Sequence, residues 1–422
     1  MSFTQILQFI IVGGALQGIL LSFLLFTRKT NQLANRLLGA LIFFMSLQSI
    51  LVAFDTREFF ITFPHLSKIG WLIPLFFGPL LYLFTRKITA RAPRFRRKDL
   101  IHFIPAVITF IYLLPYYLKS TAEKIAYLND FETARKDDFG LIGQVTLFQI
   151  LFYLVYSLKA LHSYEKKILD TFSELEKIRL QWLKQFIYSV LIIFFVAAIA
   201  FYAKKWYVPV LTVIYHYHLH YLMVVALVYW IGYKALAQPQ VFVNRSFLQI
   251  TSTDNLNQLN KETPEATTEE LPLTPNHQDP EDSETTPESV KKYQKSSLKP
   301  EESQNYLIRL LDYMEKEKPY RQSNITIQDL AALLQIPKHH LSQIINNKLD
   351  KNFYDFINQY RVAEAQLLLV DPKFKHLTNL AIAEEAGFNS KATFNAVFKK
   401  QTGQTPSEYV RSHTKNRPNL AD

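Results

Sequence analysis

The chain has 422 residues, enough for two or three domains, with a formal net charge of +11 and no cysteine. Disulfides and thiolate-held metals are therefore excluded, and the excess of Lys and Arg points towards an acidic partner such as nucleic acid or anionic lipid. The mean hydropathy of +0.01 averages two unlike parts: residues 1–238 carry long apolar runs and residues 239–422 do not.

Apolar runs fall at about 3–26, 35–54, 66–84, 100–118, 139–161, 182–203 and 207–233. Each approaches or exceeds the roughly 20 residues that a bilayer-crossing helix needs. The third is the least regular, with Lys68 near its start and Pro74, Gly78 and Pro79 inside it; a spanning helix accepts such breakers when its neighbours satisfy the freed backbone groups. The first run lacks a basic leader and a cleavage pattern, so it reads as a retained helix rather than a removed signal peptide.

The loops between these runs differ in charge. The first, third and fifth hold sixteen Lys and Arg, from Arg28 to Lys184, and the second, fourth and sixth hold eight, from Arg57 to Lys205. Basic loops stay in the cytoplasm, so seven spans put the N-terminus outside and everything after residue 238 inside. The basic cluster Arg94–Lys98 reads as a topology or headgroup element. In the fifth loop, Ile168, Phe172, Leu175 and Ile178 recur at helical spacing. That predicts a helical hairpin prolonging the flanking spans, either a solvated loop or a coupling or dimer contact.

The last two runs contain VIYHYHLHYLMV. His216 and His220, one turn apart, share a helical face, and His218 does not. Ionisable groups at membrane depth suggest function, so His216 and His220 are candidate ligand-sensing residues, with interhelical hydrogen bonding as the plain alternative. Two histidines also supply part of a metal site, but carboxylate partners are missing from the spans; no metal and no cofactor is expected.

Residues 239–300 change character. The stretch 251–290 is rich in Thr, Pro, Glu, Asp, Asn and Ser and almost free of aromatics, a composition that cannot bury enough apolar surface to fold. It reads as a disordered acidic linker with a root-mean-square reach of roughly 45 Å.

From residue 301 to 415 the pattern is helical again. Tyr306, Leu307, Leu310, Leu311 and Met314 line one face of a first helix. Thr326 and Asp329 form a capping box before Leu330, Ala331, Leu333 and Leu334. Pro337 opens PKHHLSQIIN, where Leu341, Ile344 and Ile345 face inward and Lys338, His339, Ser342, Gln343 and Asn346 stay outside. A helix at about 352–370 follows. Next, Leu380, Ile382, Ala383 and Ala386 make one face, Gly387 breaks the helix, and Ser390 caps a second helix with Phe394, Val397 and Phe398 inside. Lys391, Thr393, Asn395, Lys399 and Lys400 are left outward, and Thr405-Pro406-Ser407-Glu408 opens one more helix. Paired short helices around a turn make a helix-turn-helix, whose second helix enters the DNA major groove.

The stretch from Gly387 to Tyr409, with GFNS, FNAVFKK and TGQTPSEY in order, resembles the C-terminal signature of AraC-type transcription regulators, and the likeness reaches back to about residue 303. The resemblance implies two helix-turn-helix units joined by a long helix, docking on two successive turns of the major groove as a sequence-specific regulator. Ala392 and Ala396 stand where that family often has polar or basic side chains, which shifts base reading towards the first unit or towards Lys391 and Asn395.

The expected whole is an all-α protein: a seven-helix transmembrane sensor at 1–238, an acidic linker at 239–300 and an AraC-type DNA-binding domain at 301–415. Its expected partners are promoter or operator DNA, the lipid bilayer, a second copy in a homodimer and a signal ligand. A transporter or membrane enzyme carrying a regulatory DNA-binding domain is the alternative. Against it, the chain has no Gly-rich phosphate loop, nucleophile elbow or metalloprotease helix motif, no obvious inverted repeat and no carboxylate within the spans.

Overall fold

The computed structural model describes residues 3–29, 31–90, 93–130, 133, 140–176, 178–205, 219–237 and 298–415. Among the described residues every regular element is a helix, and the one β-type pairing is an isolated bridge between Phe172 and Thr326. The chain divides into two compact units: Met1–Tyr164 with Leu180–Thr253, and Glu165–Arg179 with Asp254–Asp422.

The first unit holds α1 (Phe3–Thr27), α2 (Gln32–Ala53), α3 (Arg57–Thr62), α4 (Ile69–Leu72), α5 (Phe77–Thr89), α6 (Ile104–Tyr117), α7 (Thr121–Asn129), α8 (Leu141–Leu169, whose last turn belongs to the second unit), α9 (Gln181–Lys205) and α10 (Leu219–Ala237). Six stretches among the described residues are long and apolar enough to cross a membrane: Gln5–Thr27, Gln32–Ala53, Pro64–Thr89, Arg97–Tyr117, Leu141–Leu169 and Gln181–Ala200. Large apolar side chains stand outward on these helices, including Phe9, Phe23, Ile108, Tyr112, Phe148 and Ile192. So much exposed apolar surface marks a surface meant for lipid or protein rather than water. The third stretch is broken, as Pro74 and Pro79 predict: a 3-10 turn over Ile73–Phe76 separates α4 from α5.

Small residues bring α1 against its neighbours. A Cβ on Gly14 would lie 2.4 Å from Val225 of α10, and one on Gly18 would lie 2.1 Å from the Ser46 hydroxyl of α2. Gly14 and Gly18 form the small-xxx-small spacing that lets membrane helices approach closely. Two of the basic residues counted as loop charges are instead buried. Lys87 pairs with Asp99 at 2.6 Å and donates to the Arg94 carbonyl at 2.8 Å. Lys124, 1% exposed, donates to the Tyr117 carbonyl at 2.8 Å and lies 2.9 Å from His65 Nδ1.

The second unit runs α11 (Pro300–Lys316), α12 (Ile327–Leu333), α13 (Lys338–Lys348), α14 (Phe353–Val370), α15 (Asn379–Glu385), α16 (Lys391–Thr402) and α17 (Pro406–Lys415). It has two cores. Leu310, Met314, Leu330, Leu341, Ile344 and Ile345 pack with Phe353, Phe356 and Ile357 from the first half of α14. Ile382, Ala383, Phe388, Phe394 and Phe398 pack with Val362, Ala365 and Leu369 from its second half. One 18-residue helix, about 27 Å long at 1.5 Å per residue, thus belongs to both cores. Two leucines depart from the expected inner faces: Leu333 is 50% exposed and Leu380 is 42% exposed. Each sits just off a stripe too narrow, on a seven-residue helix, to bury it.

The expected helical hairpin in the fifth loop does not form. α8 ends at Leu169, and the described residues of 170–180 are irregular. Thr171 turns its hydroxyl back onto the Lys167 carbonyl at 2.8 Å, and Ser173 donates from Oγ to the Ile325 carbonyl at 2.7 Å. Short hydroxyl side chains offer the backbone such alternatives to helix. The expected acidic linker lies outside the described residues up to 297, as do His216, His218 and the expected seventh run as far as residue 218, the rest of that run falling in α10.

Candidate nucleic-acid interface

Each helix-turn-helix is built by local chemistry that the sequence displays. Thr326 accepts from the Asp329 amide at 3.2 Å while the Asp329 carboxylate accepts from the Thr326 amide at 2.9 Å. Ser390 accepts from the Thr393 amide at 3.1 Å, and Thr405 and Glu408 repeat the reciprocal pattern ahead of α17. Each cap contributes about 1 kcal/mol. Arg309 donates to the Leu334 carbonyl at 2.6 Å and so closes α12 from α11. Pro337 occupies the position before α13 rather than its first turn.

The two candidate recognition helices, α13 and α16, present the expected side chains unevenly. His339, Gln343, Lys391, Lys399 and Lys400 are exposed; Lys338, Ser342, Asn346, Thr393 and Asn395 are half-buried. Asn346 donates to the Ser342 hydroxyl at 3.3 Å. Lys400 pairs with Asp355 at 3.0 Å, a solvent-exposed ion pair of small energy that a phosphate can replace. Ala392 and Ala396 are exposed on α16, leaving its outer face without long side chains at those two positions.

Behind this surface lies a polar cluster that the sequence reading did not find. The Arg361 guanidinium, fully buried on α14, donates to the carbonyls of Tyr320 at 2.8 Å, Gln322 at 2.9 Å, and Ser323 at 3.0 Å, and to Ser173 at 3.3 Å. Burial pushes its pKa down to about 10, with the Glu174 carboxylate acting in the opposite direction. One turn on, Glu364 accepts from Lys318 at 3.0 Å, from Tyr320 at 3.2 Å and from Arg321. Burial favours the neutral Glu364, but the hydrogen bonds and charges of Arg321 and Lys318 outweigh it and hold its pKa below the ordinary value. The only sequence signal for this cluster was two charged residues set among the apolar positions of α14.

The Glu165–Arg179 segment of this unit reaches the second recognition helix. Thr393 Oγ1 stands 3.5 Å from carboxylate oxygens of both Glu174 and Glu176. His220 of the candidate sensing pair is half-buried on α10 with its ring 4.6 Å from that of Tyr221. No cluster of three or more metal-ligating side chains occurs among the described residues.

Two capped helix pairs, each turning on one left-handed residue and sharing one long helix, define a helix-turn-helix domain of the DNA-binding class. Residues 330–412 match the family described as Helix-turn-helix domain. The same part of the chain is similar to the transcriptional regulatory protein HptR of Staphylococcus aureus, 26% identical over 114 residues that make up 27% of this chain and 42% of the relative. It is also similar to an uncharacterized HTH-type transcriptional regulator, YpdC, of Escherichia coli, 31% identical over 85 residues, 20% of this chain and 29% of the relative. The chain thus spans less than half the length of these relatives. A solved protein of unknown function from Listeria innocua is 26% identical, with 25% of this chain and 95% of that chain covered and a TM-score of 0.23.

Proposed function

We propose that the chain is a membrane-anchored, one-component transcription regulator. Residues 1–238 form the sensor in the bacterial cytoplasmic membrane, 239–300 the tether and 301–415 the cytoplasmic DNA-binding domain, with the N-terminus outside. It acts on promoter DNA as a homodimer, and a signal ligand received by the sensor alters the availability of the DNA-binding domain. The observation that carries this reading is the presence, in one chain, of six stretches of span length among the described residues and of residues matching the Helix-turn-helix domain family. The basic bias of the odd loops supports the same topology from other residues.

Gln343 and Asn395 are assigned to base reading, since a side-chain amide pairs with both edge groups of adenine. Lys338, His339, Ser342, Asn346, Lys391 and Thr393 flank them, and Lys399 and Lys400 are assigned to phosphates. His216 and His220 are assigned to signal reception. The test is selection of duplexes from a random pool by the full chain in lipid vesicles, followed by transcript profiling with and without the gene. A bipartite selected site upstream of the responsive genes is expected; no enrichment of any sequence ends the reading.

A further inference from the structure

The Glu165–Arg179 segment has no role in the helix-turn-helix itself, yet it is tied to that unit by backbone as well as side chains. The Ser173 amide donates to the Ile325 carbonyl at 3.4 Å and the Ile327 amide donates to the Thr171 carbonyl at 3.0 Å, on either side of the antiparallel bridge between Phe172 and Thr326. Ser173, fully buried, gives its carbonyl to Asn358 at 3.4 Å and to Arg361 at 3.3 Å, and its hydroxyl to the Ile325 carbonyl at 2.7 Å. Leu175 is 5% exposed. A chance apposition does not pair main chain to main chain and also seat a residue on a buried guanidinium.

The docked segment carries charge to a specific place. Glu174 folds its carboxylate onto the amides of Leu175 and Glu176, at 2.9 and 3.0 Å, which fixes it beside the first turn of α16. Glu176 stands at the same distance from Thr393 on the exposed side. The first turn of a helix is its electropositive end and the end at which a recognition helix meets DNA. Two carboxylates there repel phosphates and take up the hydroxyl of Thr393, which stands between Lys391 and Asn395 in the sequence.

We propose that Thr171–Glu176 is an intramolecular inhibitor of DNA binding. Its docking surface is the Ile325–Ile327 main chain together with Arg361 and Asn358, and its occupant is this chain's own connection between α8 and α9. The proposal rests on the DNA-binding reading above and adds its regulation: movement of α8 relative to α9 withdraws the segment and frees the second recognition helix.

The absence of cysteine in the chain makes the contact directly testable. Facing residues of an antiparallel bridge lie within disulfide reach, so the full chain carrying Phe172→Cys and Thr326→Cys, in lipid vesicles, is compared oxidised and reduced for binding to a random-sequence duplex pool. The oxidised form is expected to bind at least about tenfold more weakly than the same sample after reduction. Glu174→Gln with Glu176→Gln in the otherwise unchanged chain is expected to bind several-fold more tightly than the parent. Failure of the disulfide to form overturns the docking. A disulfide that forms and leaves affinity unchanged overturns the inhibition. If the disulfide forms but neither form nor the parent binds any duplex, the docking stands and the DNA-binding reading falls, taking the inhibition with it.

Discussion

Gln335 and Gly387 occupy equivalent places in the two helix-turn-helix turns, and both have positive φ, 52° and 95°. They differ in what surrounds them. A Cβ on Gly387 would lie 2.4 Å from the Tyr320 carbonyl oxygen and 2.8 Å from Arg321 Cα, backbone that cannot swing aside. The first turn therefore accepts a side chain at a local conformational cost, and the second does not accept one at all.

Gly387→Ala is accordingly expected to destabilise the second unit by about 2 kcal/mol or more. Gln335→Gly relieves left-handed strain of about 1 kcal/mol but adds freedom to the unfolded chain, so its net effect stays near zero. Hydrogen exchange in the full chain measures both, at the α15 and α16 amides for Gly387→Ala and at the α12 and α13 amides for Gln335→Gly; equal effects of the two substitutions contradict the steric argument.

Arg361→Met strips the Tyr320 carbonyl of its donor in a buried site and removes the shorter bonds to the Gln322 and Ser323 carbonyls, which keep only the Ile325 amide at 3.3 Å and the Ser173 hydroxyl at 3.4 Å. A loss of roughly 3 kcal/mol or more is expected, and Arg361→Lys restores little of it because an ammonium cannot span the same fork of acceptors. The readout is the denaturant midpoint of the slowest-exchanging amides in α14.

The depressed pKa of Glu364 gives the unit a pH dependence. Its folded value lies below that of an ordinary glutamate, so the unfolded state takes up the proton first as pH falls. The stability it contributes is complete above that ordinary value and is lost as pH drops through the lower folded one. Glu364→Gln should lower stability at neutral pH and flatten this acid limb, seen by comparing the unfolding midpoints of the two proteins across mildly to strongly acidic buffers.

On DNA, Gln343→Ala and Asn395→Ala should each relax preference in one half of a site whose halves lie about 10 base pairs apart, at about 1–3 kcal/mol of lost discrimination. Lys399→Ala should weaken all sequences alike and lower the salt slope by about 1. Unchanged selected sites for both amide variants would remove Gln343 and Asn395 from base reading.

For the proposed topology, a reporter active only in the cytoplasm should work when fused after Phe95 or Gln240 and fail after Asp130. Replacing His216 and His220 together with Leu should abolish the response to signal while DNA binding persists. A normal response from a variant that inserts normally would assign the pair to packing.

The helices of the second unit were legible because their signals are local: caps at Thr326, Ser390 and Thr405, and stripes such as Leu341, Ile344 and Ile345 at helical spacing. The apolar stretches were legible from length alone. What was not legible depends on partners distant in sequence. The helical spacing of Ile168, Phe172 and Leu175 pointed to a hairpin, but Ser173 bonds to residues about 150 positions away, and no window reveals that. Arg361 looked like an ordinary charged residue of an amphipathic helix; its burial follows from the shape of the 320–323 turn. The Gly14 and Gly18 pair is visible as a spacing, but the two side chains it admits, Val225 and Ser46, lie on helices distant in sequence.

The inhibitory segment and its docking surface are carried on one chain. Their meeting is unimolecular, so its probability is set by how the chain holds the two ends and not by how many copies the cell contains. The fraction of molecules held off DNA is then the same at low and high expression. Raising the gene dose scales the number of released molecules without moving the threshold of release, a property that a regulator silenced by a separate partner loses as soon as it outnumbers that partner.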